Sequence, residues 1–172
     1  MIRARTTSGE ATQALAAAMA ELLRSGDIVV LAGEMGAGKT AFTQGLGVGL
    51  GVAERITSPT FTIAQEYQGR LTLHHLDVYR LDHLNEALDV GLGEIIEEDG
   101  VVVIEWGDAV APLLPRNYLQ VRITFGDDDD HRHLELHAVG APWQARQRLL
   151  AERVAPWLPP ADADEPSGGG AC

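Results

Sequence analysis

Ile28-Val29-Val30-Leu31-Ala32 runs directly into Gly33-Glu34-Met35-Gly36-Ala37-Gly38-Lys39-Thr40. The first five residues are all apolar, the pattern of a short strand covered on both faces of a sheet. The next eight fit G-x-x-x-x-G-K-[ST] without a substitution. At average residue usage such a match arises by chance in roughly one chain of this length in two hundred. The required context is present too: a strand before, and after it a helix predicted over residues 39–50 that buries Phe42, Leu46 and Leu50. Glycines at 33, 36 and 38 let backbone amides curl around a phosphate with no Cβ in the way, and Met35 and Ala37 add amides to the same curl. The helix that begins near Lys39 points its positive end at the anion. Lys39 supplies mobile charge to the phosphates, and the Thr40 hydroxyl is a ligand for Mg²⁺. The expected ligands are ATP and Mg²⁺.

Lys39 is also the only lysine in a chain with 13 basic residues. Arginine replaces lysine freely on a surface, but not where a slim ammonium must slip between phosphates. The exception stands at that position.

Outward from the loop, Thr7-Ser8-Gly9-Glu10 reads as a capping box. A helix should follow with Leu15, Met19, Leu22 and Leu23 buried, ending at Ser25-Gly26-Asp27. Within the second helix Gly45, Gly47 and Gly49 each cost about 1 kcal/mol against alanine, and close packing would explain them. Gly51 is the expected C-terminal stop. Residues 61–67 and 71–79 read as two strands around Gln68-Gly69-Arg70. In the second, a period of two places Leu73, His75, Asp77 and Tyr79 on one face and His74 on the other. Residues 84–98 are predicted helical, with a break near Gly91 or Gly93. Val101-Val102-Val103-Ile104 is another buried strand. Leu119, Val121, Ile123 and Phe125 alternate with polar residues, as do Leu134, Leu136 and Ala138, giving a hairpin. Pro142 opens a last helix expected to bury Leu149, Leu150 and Val154. Residues 1–158 are expected to form one domain, and the Pro-, Asp- and Gly-rich residues 159–172 a tail outside it. The predicted class is α/β: a phosphate-loop NTPase-like mixed sheet flanked by helices, with antiparallel hairpins in the second half.

The chain has 172 residues, 45% of them apolar and 22% charged, which is ordinary for one globular domain. Its apolar runs are too short to cross a bilayer, and residues 1–10 lack the apolar centre of a signal peptide. Cys172 has no partner for an internal disulfide. A cytoplasmic protein is expected. The formal net charge of −12 argues against direct gripping of a nucleic acid.

A phosphate loop of this type needs a carboxylate at the tip of a neighbouring strand. Glu105 emerges after four apolar residues, and Asp77 leaves the strand before it. Either could serve the metal or orient the attacking water, or the two could share the work. Hydroxyls in Ser58-Pro59-Thr60-Phe61 are placed to sense a γ-phosphate, as a switch loop does. Arg132 is a further candidate nucleotide contact. Trp106 belongs to the core, to the nucleotide site or to a partner surface.

Taken together, Leu31-Ala32 and residues 33–40, Ser58-Pro59-Thr60-Phe61, His75-Leu76-Asp77-Val78-Tyr79-Arg80-Leu81, Ile104-Glu105-Trp106 and Leu114-Pro115 resemble the TsaE family, formerly YjeE. These motifs stand in family order across about residues 5–140. The resemblance implies the ATPase component of the bacterial machinery for threonylcarbamoyladenosine in tRNAs that read ANN codons. It implies action on the TsaB–TsaD pair, with tRNA met only through that complex. It also implies that Thr40 and Glu105 bind Mg²⁺, that Asp77 supports hydrolysis beside Lys39, and that the segments around Thr60 and Asp77 are switch-like. A small-molecule kinase is the alternative on the same loop, but no arginine-rich lid is present. A guanine-nucleotide switch would need N-K-x-D, which a chain whose one lysine is Lys39 cannot contain.

Overall fold

The computed structural model describes residues 1–59, 64–79 and 91–160. Seven strands form one sheet: β1 (Ile2–Thr6), β2 (Ile28–Ala32), β3 (Ala64–Tyr67), β4 (Leu73–Asp77), β5 (Val101–Glu105), β6 (Tyr118–Phe125) and β7 (Arg132–Val139), in the order β1-β7-β6-β2-β5-β4-β3. The central strands β6, β2, β5 and β4 run parallel. The outer pairs β1–β7, β6–β7 and β3–β4 are antiparallel. The described helices are α1 (Gly9–Ala20), α2 (Lys39–Gly49), α3 (Leu92–Glu97) and α4 (Ala141–Arg153), with 3-10 turns at Gly107–Leu113 and Ala155–Trp157. This is the mixed α/β sheet expected from the sequence.

Why the central strands are apolar throughout follows from the layers. Val29, Leu31 and Val103 face a core shared with Leu15, Phe42 and Trp143. Ile28, Val30, Val102 and Ile104 face a second core with Leu92, Val110 and Leu114. Both faces of β2 and β5 are covered, so no polar face is needed. None of the described helices is long and apolar enough to cross a membrane.

The helix glycines have a steric cause. A Cβ built on Gly45 would overlap the Gln13 carbonyl and stand 2.8 Å from Ala16 Cβ; one on Gly49 would overlap the Ala17 carbonyl and stand 2.6 Å from Ala20 Cβ. The α1 and α2 backbones meet through these bare positions. Gly45→Val is therefore expected to destabilise the protein by about 1–3 kcal/mol in urea unfolding. Gly9→Ala, at a position with open space around it, is the matched control. Equal stabilities for the two variants would show that the helices can part without penalty.

Several expectations need correction. β1 carries only Ile2 and Ala4 as inward apolar residues, with Thr6 as the third buried position, too short an apolar pattern to announce a strand. The helix cap is Ser8 rather than Thr7: its hydroxyl accepts from the Ala11 amide at 3.0 Å. That helix stops at Ala20, before Ser25-Gly26-Asp27. Phe125, at the end of β6, is 46% exposed, because the core ends one pleat earlier. Leu149 is exposed; the inner stripe of α4 is Trp143, Arg146 and Leu150, at i, i+3 and i+7, and Leu149 falls to one side. Arg146 is buried because its guanidinium forms a two-pronged pair with Asp27, Nη1 to Oδ2 at 2.7 Å and Nη2 to Oδ1 at 2.6 Å. The predicted strand residues 61–63, the helical residues 84–90 and tail residues 161–172 lie outside the described residues.

Candidate nucleotide site

The loop between β2 and α2 is folded by its glycines. Gly33 (φ +152°) packs so closely on β6 that a Cβ would strike the Ile123 carbonyl. Gly38 (φ +108°) caps α2 in the left-handed region open to glycine. Lys39, only 5% exposed, bends back over the loop. Its Nζ donates to the carbonyls of Gly33 and Glu34 at 2.7 and 2.8 Å. It also stands 3.8 Å from the centroid of the Trp106 ring, a cation–π contact.

The sheet register brings the carboxylates in. Leu31 pairs with Glu105 across β2–β5, and Asp77 pairs with Glu105 across β5–β4. Both acids thus end at the level of the phosphate loop, at the carboxyl ends of parallel strands where α/β sheets place ligands. The Thr40 hydroxyl donates to Glu105, 3.1 Å from Oε1 and 3.4 Å from Oε2. The Asp77 carboxylate accepts from the Ser58 hydroxyl at 3.3 Å and from the Tyr79 amide at 3.0 Å. Lys39, Thr40, Ser58, Asp77, Glu105 and Trp106 are among the residues lining one open cleft of about 280 Å³. A hydroxyl and a carboxylate this close are hard oxygen donors, the set that suits Mg²⁺ completed by water and phosphate.

Two features were not read from the sequence, and a third, the place of Trp106, was left open. His75 is fully buried and its Nε2 lies 2.8 Å from Glu105 Oε1. The signal was present in the period of two, which put His75 on the same face as Asp77. Tyr79 leans on Trp106, ring centroids 4.8 Å apart. Trp106 itself lines the cleft with φ +62°, a conformation costing on the order of 1 kcal/mol for such a residue. That backbone turn is what carries its ring from the end of β5 over Lys39.

Arg132, at the start of β7, braces the loop. Its Nε donates to the Ala37 carbonyl at 2.9 Å, its Nη2 lies 3.4 Å from the Gly36 carbonyl, and its guanidinium stands 4.7 Å from the Phe125 ring centroid. It holds the carbonyls on one side of the loop, while the Ala37 amide donates to the Glu34 carbonyl at 3.1 Å. Thr60 and Phe61, with Arg80 and Leu81, lie outside the described residues. A separate group of side chains, Glu66, His74 and Glu98, with N and O atoms within 4.8 Å of one another, sits toward the opposite end of β5.

The family description "Threonylcarbamoyl adenosine biosynthesis protein TsaE" matches residues 6–134 of this chain, a stretch holding every residue named above in the cleft. The chain belongs to the TsaE family. It is 48% identical over 114 residues to the tRNA threonylcarbamoyladenosine biosynthesis protein TsaE of Treponema pallidum, covering 66% of this chain and 84% of that one. It is 41% identical over 151 residues to the TsaE of Bacillus subtilis, covering 87% and 91%. The crystal structure of Bacillus subtilis YdiB superposes with a TM-score of 0.73 at 36% identity, over 88% of this chain and 94% of that one. The TsaE resemblance carried by the loop, S-P-T-F, H-x-D-x-Y-R-L and E-W motifs is therefore correct.

Proposed function

We propose that this TsaE-family chain binds ATP with Mg²⁺ in the cleft, hydrolyses it, and serves as the ATPase subunit of tRNA threonylcarbamoyladenosine formation by acting on the TsaB–TsaD pair. The observation that carries this reading is the pairing of Thr40 with Glu105 at 3.1 Å beside an intact phosphate loop. Lys39 exchanges its two loop carbonyls for phosphate oxygens when nucleotide enters. The amides at the start of α2 bind the same phosphates, aided by the helix dipole. Thr40 and Glu105 would hold Mg²⁺, which when bound neutralises charge on the β- and γ-phosphate oxygens. Asp77 accepts a hydrogen bond from the attacking water and orients it, a role supported by its hold on the Ser58 hydroxyl and the Tyr79 amide. Thr60 belongs to the same proposal as a γ-phosphate contact, and Arg132 as the loop's brace beside the nucleotide. The net charge of −12 suits a protein that works through partner proteins and meets tRNA only within their complex.

Glu105→Ala and Asp77→Ala are expected to lower ATP turnover by about 10²-fold or more. Asp77→Ala should keep the parent's melting temperature, whereas Glu105→Ala should still fold but melt somewhat lower, because it leaves the buried His75 without its acceptor. Turnover that persists in either variant would remove that carboxylate from the chemistry. The test of the whole reading is ATP hydrolysis by the purified protein with and without TsaB–TsaD. Stimulation by the pair is the expected result. Nucleotide binding with no response to the pair would keep the phosphate loop and sink the proposed partnership.

A further inference from the structure

His75 is 0% exposed and lies within β4, one strand away from Glu105. Its Nε2 is 2.8 Å from Glu105 Oε1, and its Nδ1 has no hydrogen-bond partner among the described residues. An ionised carboxylate can only accept, and a proton on Nδ1 alone would be a stranded donor at a cost of about 1–3 kcal/mol. The proton therefore sits on Nε2 and is donated to Glu105. The other side-chain donor to that carboxylate among the described residues is Thr40. A hydroxyl that turns its oxygen toward Mg²⁺ no longer holds Glu105 in the same geometry.

We infer that His75 is a positioning residue: it pins Oε1 of Glu105, the oxygen nearer the Thr40 hydroxyl, so that the carboxylate keeps its orientation toward Thr40 and the cleft while nucleotide comes and goes. The inference rests on the proposed ATP–Mg²⁺ reading of the cleft. Glu105 is itself only 3% exposed, and a carboxylate lacking its outer partner would swing toward whichever donor remained. Partners behind a metal-binding side chain typically matter by about 10–100-fold in metal affinity.

Two measurements test this. Imidazole ¹⁵N spectra of the nucleotide-free protein, with His75 assigned by its absence in His75→Gln, should show a protonated Nε2 and a bare Nδ1. The opposite tautomer overturns the proposal whatever the protein does with ATP. Calorimetric titration with ADP, with and without Mg²⁺, should give equal Mg²⁺-free binding in parent, His75→Leu, His75→Asn and His75→Gln. The gain in affinity from Mg²⁺ should fall by about 10–100-fold in the Leu and Asn variants and return in Gln, whose amide reaches where Nε2 stood. An undiminished gain in Asn, or no recovery in a folded Gln variant, overturns it; the Asn–Gln comparison decides the matter if His75→Leu does not fold. A parent with the expected tautomer but no Mg²⁺-dependent gain would instead bring down the nucleotide reading, and with it this role, leaving only the His75–Glu105 hydrogen bond.

Discussion

Lys39→Ala should lose productive ATP binding outright, with hydrolysis at background. The ammonium is the only lysine charge in the chain, and no other cation among the described residues lines the cleft. Two charge-assisted hydrogen bonds to phosphate, at about 1.5–3 kcal/mol each, put the loss in affinity at about 10²-fold or more. A second effect adds to the first. Without Lys39 the Gly33 carbonyl loses its side-chain donor while the Glu34 carbonyl keeps the Ala37 amide, so the nucleotide-free loop is held less firmly. Lys39→Arg should fail as well, because a planar guanidinium does not fit the space between those carbonyls and the Trp106 ring. Calorimetry with ATP and a turnover assay, run on both variants, give the answer. Parent-like turnover in Lys39→Ala would take the loop out of the mechanism.

Arg146→Ala should be the most damaging single change to stability. It leaves Asp27, 8% exposed, as a buried carboxylate with only the Arg24 amide at 2.8 Å for a partner. It also removes donors to the carbonyls of Leu22 and Pro142 and the stack 4.0 Å from the Trp143 ring. Breaking a buried pair from one side costs about 3–5 kcal/mol, which for a chain of this size lowers the melting temperature by about 10 °C. Asp27→Asn with Arg146→Met should recover part of that loss, because no charge is then stranded. Urea unfolding of the single and double variants checks both statements. A loss below about 1 kcal/mol in Arg146→Ala would mean that water reaches Asp27 once the arginine is gone.

What could be read from sequence was whatever is local. The run Ile28–Ala32 and the run before Glu105 announce strands because two-sided burial leaves an unbroken apolar signature. The phosphate loop announces itself because its glycines, lysine and threonine must stand at fixed spacing. The carboxylates could be nominated, since both follow buried strands. Their meeting point could not, because it depends on β5 lying between β2 and β4, an order that no local pattern carries. Arg146 was illegible for the same reason: its burial makes sense only with Asp27, which lies in the turn before β2 and far away in sequence. Trp106 was ambiguous because a positive φ, rather than a hydrophobic pattern, decides where its ring goes.

The strand order also dictates when the molecule can be finished. β2 has β6 on one side, and β1 has only β7 beside it. A chain emerging from the ribosome therefore carries residues 2–6 as an unpaired ribbon until residues 132–136 arrive to zip with them. The Arg146 clasp on Asp27 comes later still. Until residues 118–125 have emerged, β2 is a bare apolar edge on that side, and the Ile123 carbonyl that crowds Gly33 is missing. Non-local pairing of this kind folds slowly and exposes sticky edges meanwhile. The phosphate loop thus acquires its frame only after residues 118–136, far downstream of it, have been made.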